Sequence, residues 1–115
     1  IHDKRDIIDS IERYIHDHLA EPLTLESIAR QMYMNPTYLS SLYHKATGRT
    51  LFEYIRRVRV TRAVYLFTNS TLSVAEVSRS VGFRDPSYFS KVFRAEHACS
   101  PREYRKKLAQ GEVIF

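Results

Sequence analysis

The sequence predicts an all-α fold of about seven helices, arranged as two similar helical units joined by a long connector helix. Three observations lead there. Apolar residues recur at three- and four-residue spacing through most of the chain, and no stretch alternates as a half-buried strand does. Most of the expected helices open on a serine, threonine, asparagine or aspartate, with proline or glutamate close behind. The order of caps and apolar positions in the first half returns in the second.

Ile7, Ile8, Ile11, Ile15 and Leu19 make one stripe, with Asp9, Glu12, Arg13 and Asp17 on the other faces. They predict a first helix over about residues 3–20, stopped near Pro22. Thr24 caps a second helix carrying Leu25, Ile28, Ala29 and Met32. Asn35 followed by Pro36 opens a third, because asparagine caps well and proline fits the first helical position, where no amide donor is needed. Leu39, Leu42, Tyr43 and Ala46 are its expected inward residues, and Gly48 its stop.

Thr50 and Glu53 form a capping box for a fourth helix over about residues 51–67, on the order of 25 Å long. Its apolar residues (Leu51, Tyr54, Ile55, Val58, Val60, Ala63, Val64, Leu66) cover more than one face, as in a helix packed on two sides between two small cores. Ser73 and Glu76 open a fifth with Val74, Val77 and Val81. Gly82 suits the left-handed backbone that ends a helix. Asp85 and Pro86 then start a sixth, striped by Phe89, Val92 and Phe93, with Ser87, Ser90, Lys91 and Arg94 off the stripe. Ser100, Pro101 and Glu103 start a seventh with Tyr104 and Leu108, ended by Gly111; residues 112–115 are unassigned. The resulting organisation is a first unit over about 3–49, a connector over about 50–68 and a second unit over about 72–110.

At 115 residues the chain is one domain or two very small ones. A hydrophobic fraction of 43% is enough for a core, yet no apolar run approaches the roughly 18 residues of a membrane span. No signal peptide opens the chain, and a start at Ile1 rather than methionine reads as a piece of a longer protein. The net charge of +5 favours an anionic partner, nucleic acid first. The single cysteine, Cys99, allows no internal disulfide or cysteine metal pair, and suits a cytoplasmic location. The five histidines make no ligand pattern: His16 and His18 are two apart on a helix and face differently. Without a glycine-rich phosphate loop or a nucleophile beside its base, neither an enzyme nor a cofactor is expected.

The repeat is explicit in the residues. Leu23, Thr24 and Arg30 match Leu72, Ser73 and Arg79. After one inserted residue at the turn, Pro36-Thr37-Tyr38-Leu39-Ser40 matches Pro86-Ser87-Tyr88-Phe89-Ser90, then Leu42-Tyr43 matches Val92-Phe93, and Glu53-Tyr54 matches Glu103-Tyr104. A short helix, a tight turn and a second helix is the helix-turn-helix pattern, whose second helix reads the major groove. Two copies in one chain do what a dimer does, reaching successive major grooves about 34 Å apart. The alternative is a helical protein–protein interaction module with a basic surface.

The run from Val81 through Gly82-Phe83-Arg84-Asp85-Pro86-Ser87-Tyr88-Phe89-Ser90-Lys91-Val92-Phe93, followed by Ser100-Pro101-Arg102-Glu103-Tyr104-Arg105, resembles the signature of the AraC/XylS family of bacterial transcription regulators. Ile28-Ala29, Asn35 to Ser40, Thr47-Gly48, Tyr54-Ile55 and Arg59 to Ala63 agree with it as well, so the resemblance covers nearly the whole chain. It implies a domain that binds double-stranded DNA, in a regulator expected to activate by contacting RNA polymerase, with repression the alternative. It also implies a separate ligand-sensing, dimerising or receiver domain upstream, where dimerisation is expected to lie; the asymmetry of the two repeats argues that this piece itself binds as a monomer. One departure is Ala98, where the family often has glycine; a left-handed cap costs more there.

The outward residues of the two recognition helices are Thr37, Ser40, Ser41 and His44, and Ser87, Ser90, Lys91 and Arg94. The resemblance implies base contacts at Thr37, Ser40, Ser41, Ser87, Ser90 and Lys91. Lys91 can donate to guanine O6 and N7, whereas short hydroxyls read bases ambiguously, so the second unit is expected to specify sequence more sharply. Lys45, Arg49, Arg57, Arg84 and Arg94 are the candidates for phosphate contacts. Arg59 is suited equally to an ion pair between helices and to a phosphate. Tyr38 and Tyr88 border the apolar stripes and are expected to pack.

Overall fold

The structure, a computed structural model, describes residues 3–111. Seven helices run in order: α1 (Lys4–Asp17), α2 (Leu25–Gln31), α3 (Pro36–Thr47), α4 (Leu51–Asn69), α5 (Val74–Ser80), α6 (Pro86–His97) and α7 (Pro101–Ala109). No strand occurs among the described residues. The fold is all-α, as the periodicity predicts; the unassigned tail, 112–115, lies outside the described residues.

The caps do what their residue types suggest. The Thr24, Ser73 and Ser100 side chains each accept the amide three residues on, and Ser27, Glu76 and Glu103 each reach back to the cap's own amide. The Asn35 and Asp85 side chains accept the Tyr38 and Ser87 amides, with Pro36 and Pro86 in the first turn. At α4 the Thr50 hydroxyl accepts the Glu53 amide and donates to its carboxylate.

Two boundaries differ from expectation. The first helix ends at Asp17, because His18 leaves helical geometry (φ −125°), donates from Nδ1 to the Tyr14 carbonyl at 2.9 Å and stacks on the Tyr14 ring. The fourth runs on to Asn69, where Thr68, Asn69 and Ser70 side chains donate to the carbonyls of Val64, Tyr65 and Leu66. These local bonds satisfy end carbonyls that would otherwise lack donors. Ala46, expected inward, is exposed; Leu39, Leu42 and Tyr43 alone carry the buried stripe of α3.

The chain divides into two compact units between Val58 and Arg59, within α4. In the first, Ile11 and Ile15 of α1, Ile28 and Ala29 of α2, and Leu39 and Tyr43 of α3 pack with Leu51, Tyr54, Ile55 and Val58. In the second, Val60, Ala63 and Phe67 pack with Val77 and Val81, Phe83, Phe89, Val92 and Phe93, Cys99 and Tyr104. The two stripes of α4 are out of phase, since one ends at Val58 and the other begins only two residues later. Each unit is therefore the same four-element assembly: α4 closes the first, as α7 closes the second, and α4 also supplies the second unit's opening helix, as α1 does for the first.

The turns after α2 and α5 are Schellman motifs. The Tyr33 amide donates to the Arg30 carbonyl and the Met34 amide to that of Ala29, while Gly82 and Phe83 donate to Arg79 and Ser78. Both pivot residues are left-handed, Tyr33 at φ +56° and Gly82 at φ +101°.

Candidate nucleic-acid interface

Each recognition helix has a buried stripe and a polar face opposite it. On α3, Thr37, Ser41, His44 and Lys45 are exposed and Ser40 half-buried; on α6, Ser87, Lys91 and Arg94 are exposed and Ser90 half-buried. The spacing of three and four puts each set on one side of its helix. Beneath α6 the stripe rests on aromatic rings: Phe89 lies 5.0 Å from Phe83 and 5.8 Å from Phe93, and Phe93 lies 5.3 Å from Tyr104, centroid to centroid.

The first unit supports its recognition helix differently. Tyr43 on α3 donates its hydroxyl to Glu12 on α1 at 2.8 Å, and Arg49 approaches the same carboxylate at 3.7 Å with its guanidinium over the Tyr54 ring. His16 Nε2 lies 2.9 Å from the Tyr54 hydroxyl. Burial, with the Glu12 carboxylate beside it, pushes the Tyr43 phenol well above its ordinary range, so it stays a donor. At the matching positions the second unit has Phe93 for Tyr43 and Cys99 for Arg49. A polar knot in one unit is thus an apolar cluster in the other.

The candidate phosphate ligands separate on geometry. Lys45, Arg57 and Arg84 are exposed. Arg94 is exposed but 3.5 Å from Glu103. Arg49 is half-buried in the knot, with its Nε buried and unpartnered. Arg59 lies over the Phe83 ring, 5.9 Å from its centre, and burial lowers its pKa from the usual arginine value. Tyr38 and Tyr88, expected to pack, are 58% and 46% exposed; Tyr88 packs only partly, 5.9 Å from Phe83. They carry hydroxyls at the same position of the first turn of α3 and α6, on the exposed side, a role the packing expectation does not include. Their recurrence in the repeat was the signal for it.

Charge is shared unequally. Residues 1–58 carry eight acidic and eight basic side chains, residues 59–115 five and ten, so the whole excess of +5 lies in the second unit. Among the described residues no three His, Cys, Asp or Glu side chains gather as a metal site needs, and no helix is long and apolar enough to cross a membrane.

A family profile described as a helix-turn-helix domain matches residues 28–107. The chain belongs to the AraC/XylS family. It is 36% identical over 101 residues to the Msm operon regulatory protein of Streptococcus mutans, covering 88% of this chain and 36% of that one. This AraC/XylS domain therefore spans about a third of that relative's length. Among solved structures it resembles the C-terminal domain of AraT, a response regulator from Geobacillus stearothermophilus (TM-score 0.84, 29% identity, covering 88% of this chain and 84% of that one). It also resembles the DNA-binding domain of AdpA, solved with a target DNA (TM-score 0.83, 26% identity, 92% and 97% covered). The domain is a DNA-binding helix-turn-helix domain.

Proposed function

We propose that the domain binds duplex DNA by laying α3 and α6 in major grooves, with Thr37, Ser40, Ser41 and His44 facing bases from one and Ser87, Ser90 and Lys91 from the other. The observation that carries this is the repeated polar face over a buried stripe, on a fold shared with the AdpA domain solved on its target. Lys45, Arg57, Arg84 and Arg94, with the Tyr38 and Tyr88 hydroxyls, hold phosphates beside those faces. Arg49 acts within the knot, positioning α3 from behind. The charge excess makes the second unit the electrostatic anchor, and Lys91 gives it the sharper base reading, worth about 1–3 kcal/mol for a good contact. Contact with RNA polymerase, activation of transcription and a cytoplasmic location complete the reading on the strength of the family, and dimerisation is assigned to the rest of the regulator.

Selection of the chain against random duplex DNA at near-physiological salt tests this, with Lys91→Ala and Ser41→Ala run in parallel. Two enriched blocks about one helical turn apart are expected, one of them relaxed more by Lys91→Ala than the other is by Ser41→Ala. Equal relaxation would remove the asymmetry. Binding without any enrichment would leave charge attraction alone and favour a protein-interaction module.

A further inference from the structure

A groove of about 340 Å³ opens on the first unit, between the N-terminal half of α1 and the turn that joins α2 to α3. Asp6, Ile7 and Ser10 form one wall, Met32 and Met34 the other. No residue of α3 lines it, so it is distinct from the polar face assigned to bases.

Between the two methionines in sequence stands Tyr33, 97% exposed and left-handed. The repeat provides an internal control. Gly82 holds the same place in the same pair of amide bonds, and glycine takes that backbone without steric cost. The first unit instead has a bulky ring that strains the turn and buries almost nothing. An exposed tyrosine is a typical interface anchor, and methionines are pliable enough to accept varied apolar side chains.

The rim sets the partner's charge. Asp3, Asp6 and Ser10 recur at three- and four-residue spacing on one face of α1, while Lys4 and Arg5 fall on other faces. Arg13 and Asp17 continue that stripe, so it carries three carboxylates against one cation. Such a rim repels a phosphate backbone and attracts cations.

We propose that this groove docks a segment of another protein, one carrying a side chain of leucine, isoleucine or methionine size flanked by lysine or arginine. The apolar side chain seats between Ile7 and the two methionines, with the Tyr33 ring closing over it, and the flanking cations meet Asp3 and Asp6. The docked segment and DNA use different faces of the first unit.

The test is selection of a linear peptide library displayed on phage against the immobilised chain, repeated with Tyr33→Gly and Asp6→Asn. Tyr33→Gly is protected from trivial failure, since glycine suits the turn and should raise the melting temperature. Enriched peptides should pair an apolar residue with lysine or arginine. A synthetic peptide made from the winners should bind about tenfold or more weakly to Tyr33→Gly, and about two- to fivefold more weakly to Asp6→Asn. Duplex DNA binding by both variants should match the parent at the same salt, which separates failure here from failure of the DNA reading. No enrichment, winners without cations, or binding indifferent to Tyr33→Gly would overturn the proposal. So would self-association of the parent chain that Tyr33→Gly abolishes, since the occupant would then be a second copy.

Discussion

Gly48 and Ala98 close the two recognition helices in the same left-handed backbone, φ +78° and φ +60°, each donating its amide to the carbonyl four residues back at 2.8 Å. A Cβ at Gly48 would meet nothing within 4 Å. The difference between the two caps is thus conformational rather than a matter of contacts. Ala98→Gly should stabilise the domain by about 0.5–1 kcal/mol, the left-handed penalty less glycine's greater freedom when unfolded. Gly48→Ala should cost a similar amount. Thermal unfolding of the two variants beside the parent measures both, and opposite signs are the required result.

Ser78 is fully buried on α5, and its hydroxyl has no hydrogen-bond partner. The matching residue of the first unit is Ala29, also buried. Removing an unsatisfied buried hydroxyl from a site that packs alanine elsewhere in the same fold should gain about 1 kcal/mol. Ser78→Ala should raise the urea midpoint with the slope unchanged. A loss of stability would mean that the hydroxyl has a partner after all, with an ordered water the first to look for.

Caps, helix order and the buried stripes were legible in the sequence because they depend on neighbours three or four residues apart: Thr50 with Glu53, Ser73 with Glu76, Phe89 with Val92 and Phe93. What escaped is of two kinds. The Glu12–Tyr43–Arg49 knot joins residues 31 to 37 positions apart, and no periodicity encodes it. Arg49 therefore read as one more cation beside a recognition helix. Tyr33 escaped for a different reason: residue type argues against a left-handed tyrosine, and only its alignment with Gly82 through the repeat could have flagged it. Among the candidate contacts the spacing located the polar faces of α3 and α6, but it could not grade exposure, so half-buried Ser40 and Ser90 looked like exposed Ser41 and Lys91.

The knot makes Arg49 separable from a true phosphate ligand. A residue neutralising one phosphate lowers the slope of log affinity against log salt by about one when removed. Arg84→Ala and Arg57→Ala should do so, weakening all duplexes alike. Arg49→Ala should leave the slope nearly unchanged and lower stability by about 1–2 kcal/mol, because Tyr43 and Glu12 lose a partner in a partly exposed setting. A slope reduced as much by Arg49→Ala as by Arg84→Ala would return Arg49 to the phosphates.

Acid stability is tied to two capping boxes. The Glu76 carboxyl is held below its ordinary value first by the Ser73 amide and then by the Ser73 hydroxyl, that of Glu103 first by the Ser100 hydroxyl and then by its amide. A carboxyl whose folded pKa is depressed binds protons more readily in the unfolded chain. Its stabilisation is present above the unfolded value and lost as pH falls through the folded one. The domain should therefore weaken on acidification below the ordinary carboxylate range. Glu76→Gln with Glu103→Gln keeps a side chain able to accept from each cap while removing the titration. Melting temperatures of the parent and the double variant should differ near neutral pH and converge as pH falls to about 2, where the parent's carboxyls are protonated as well. A gap that stays constant across that range would place the acid sensitivity in other carboxylates.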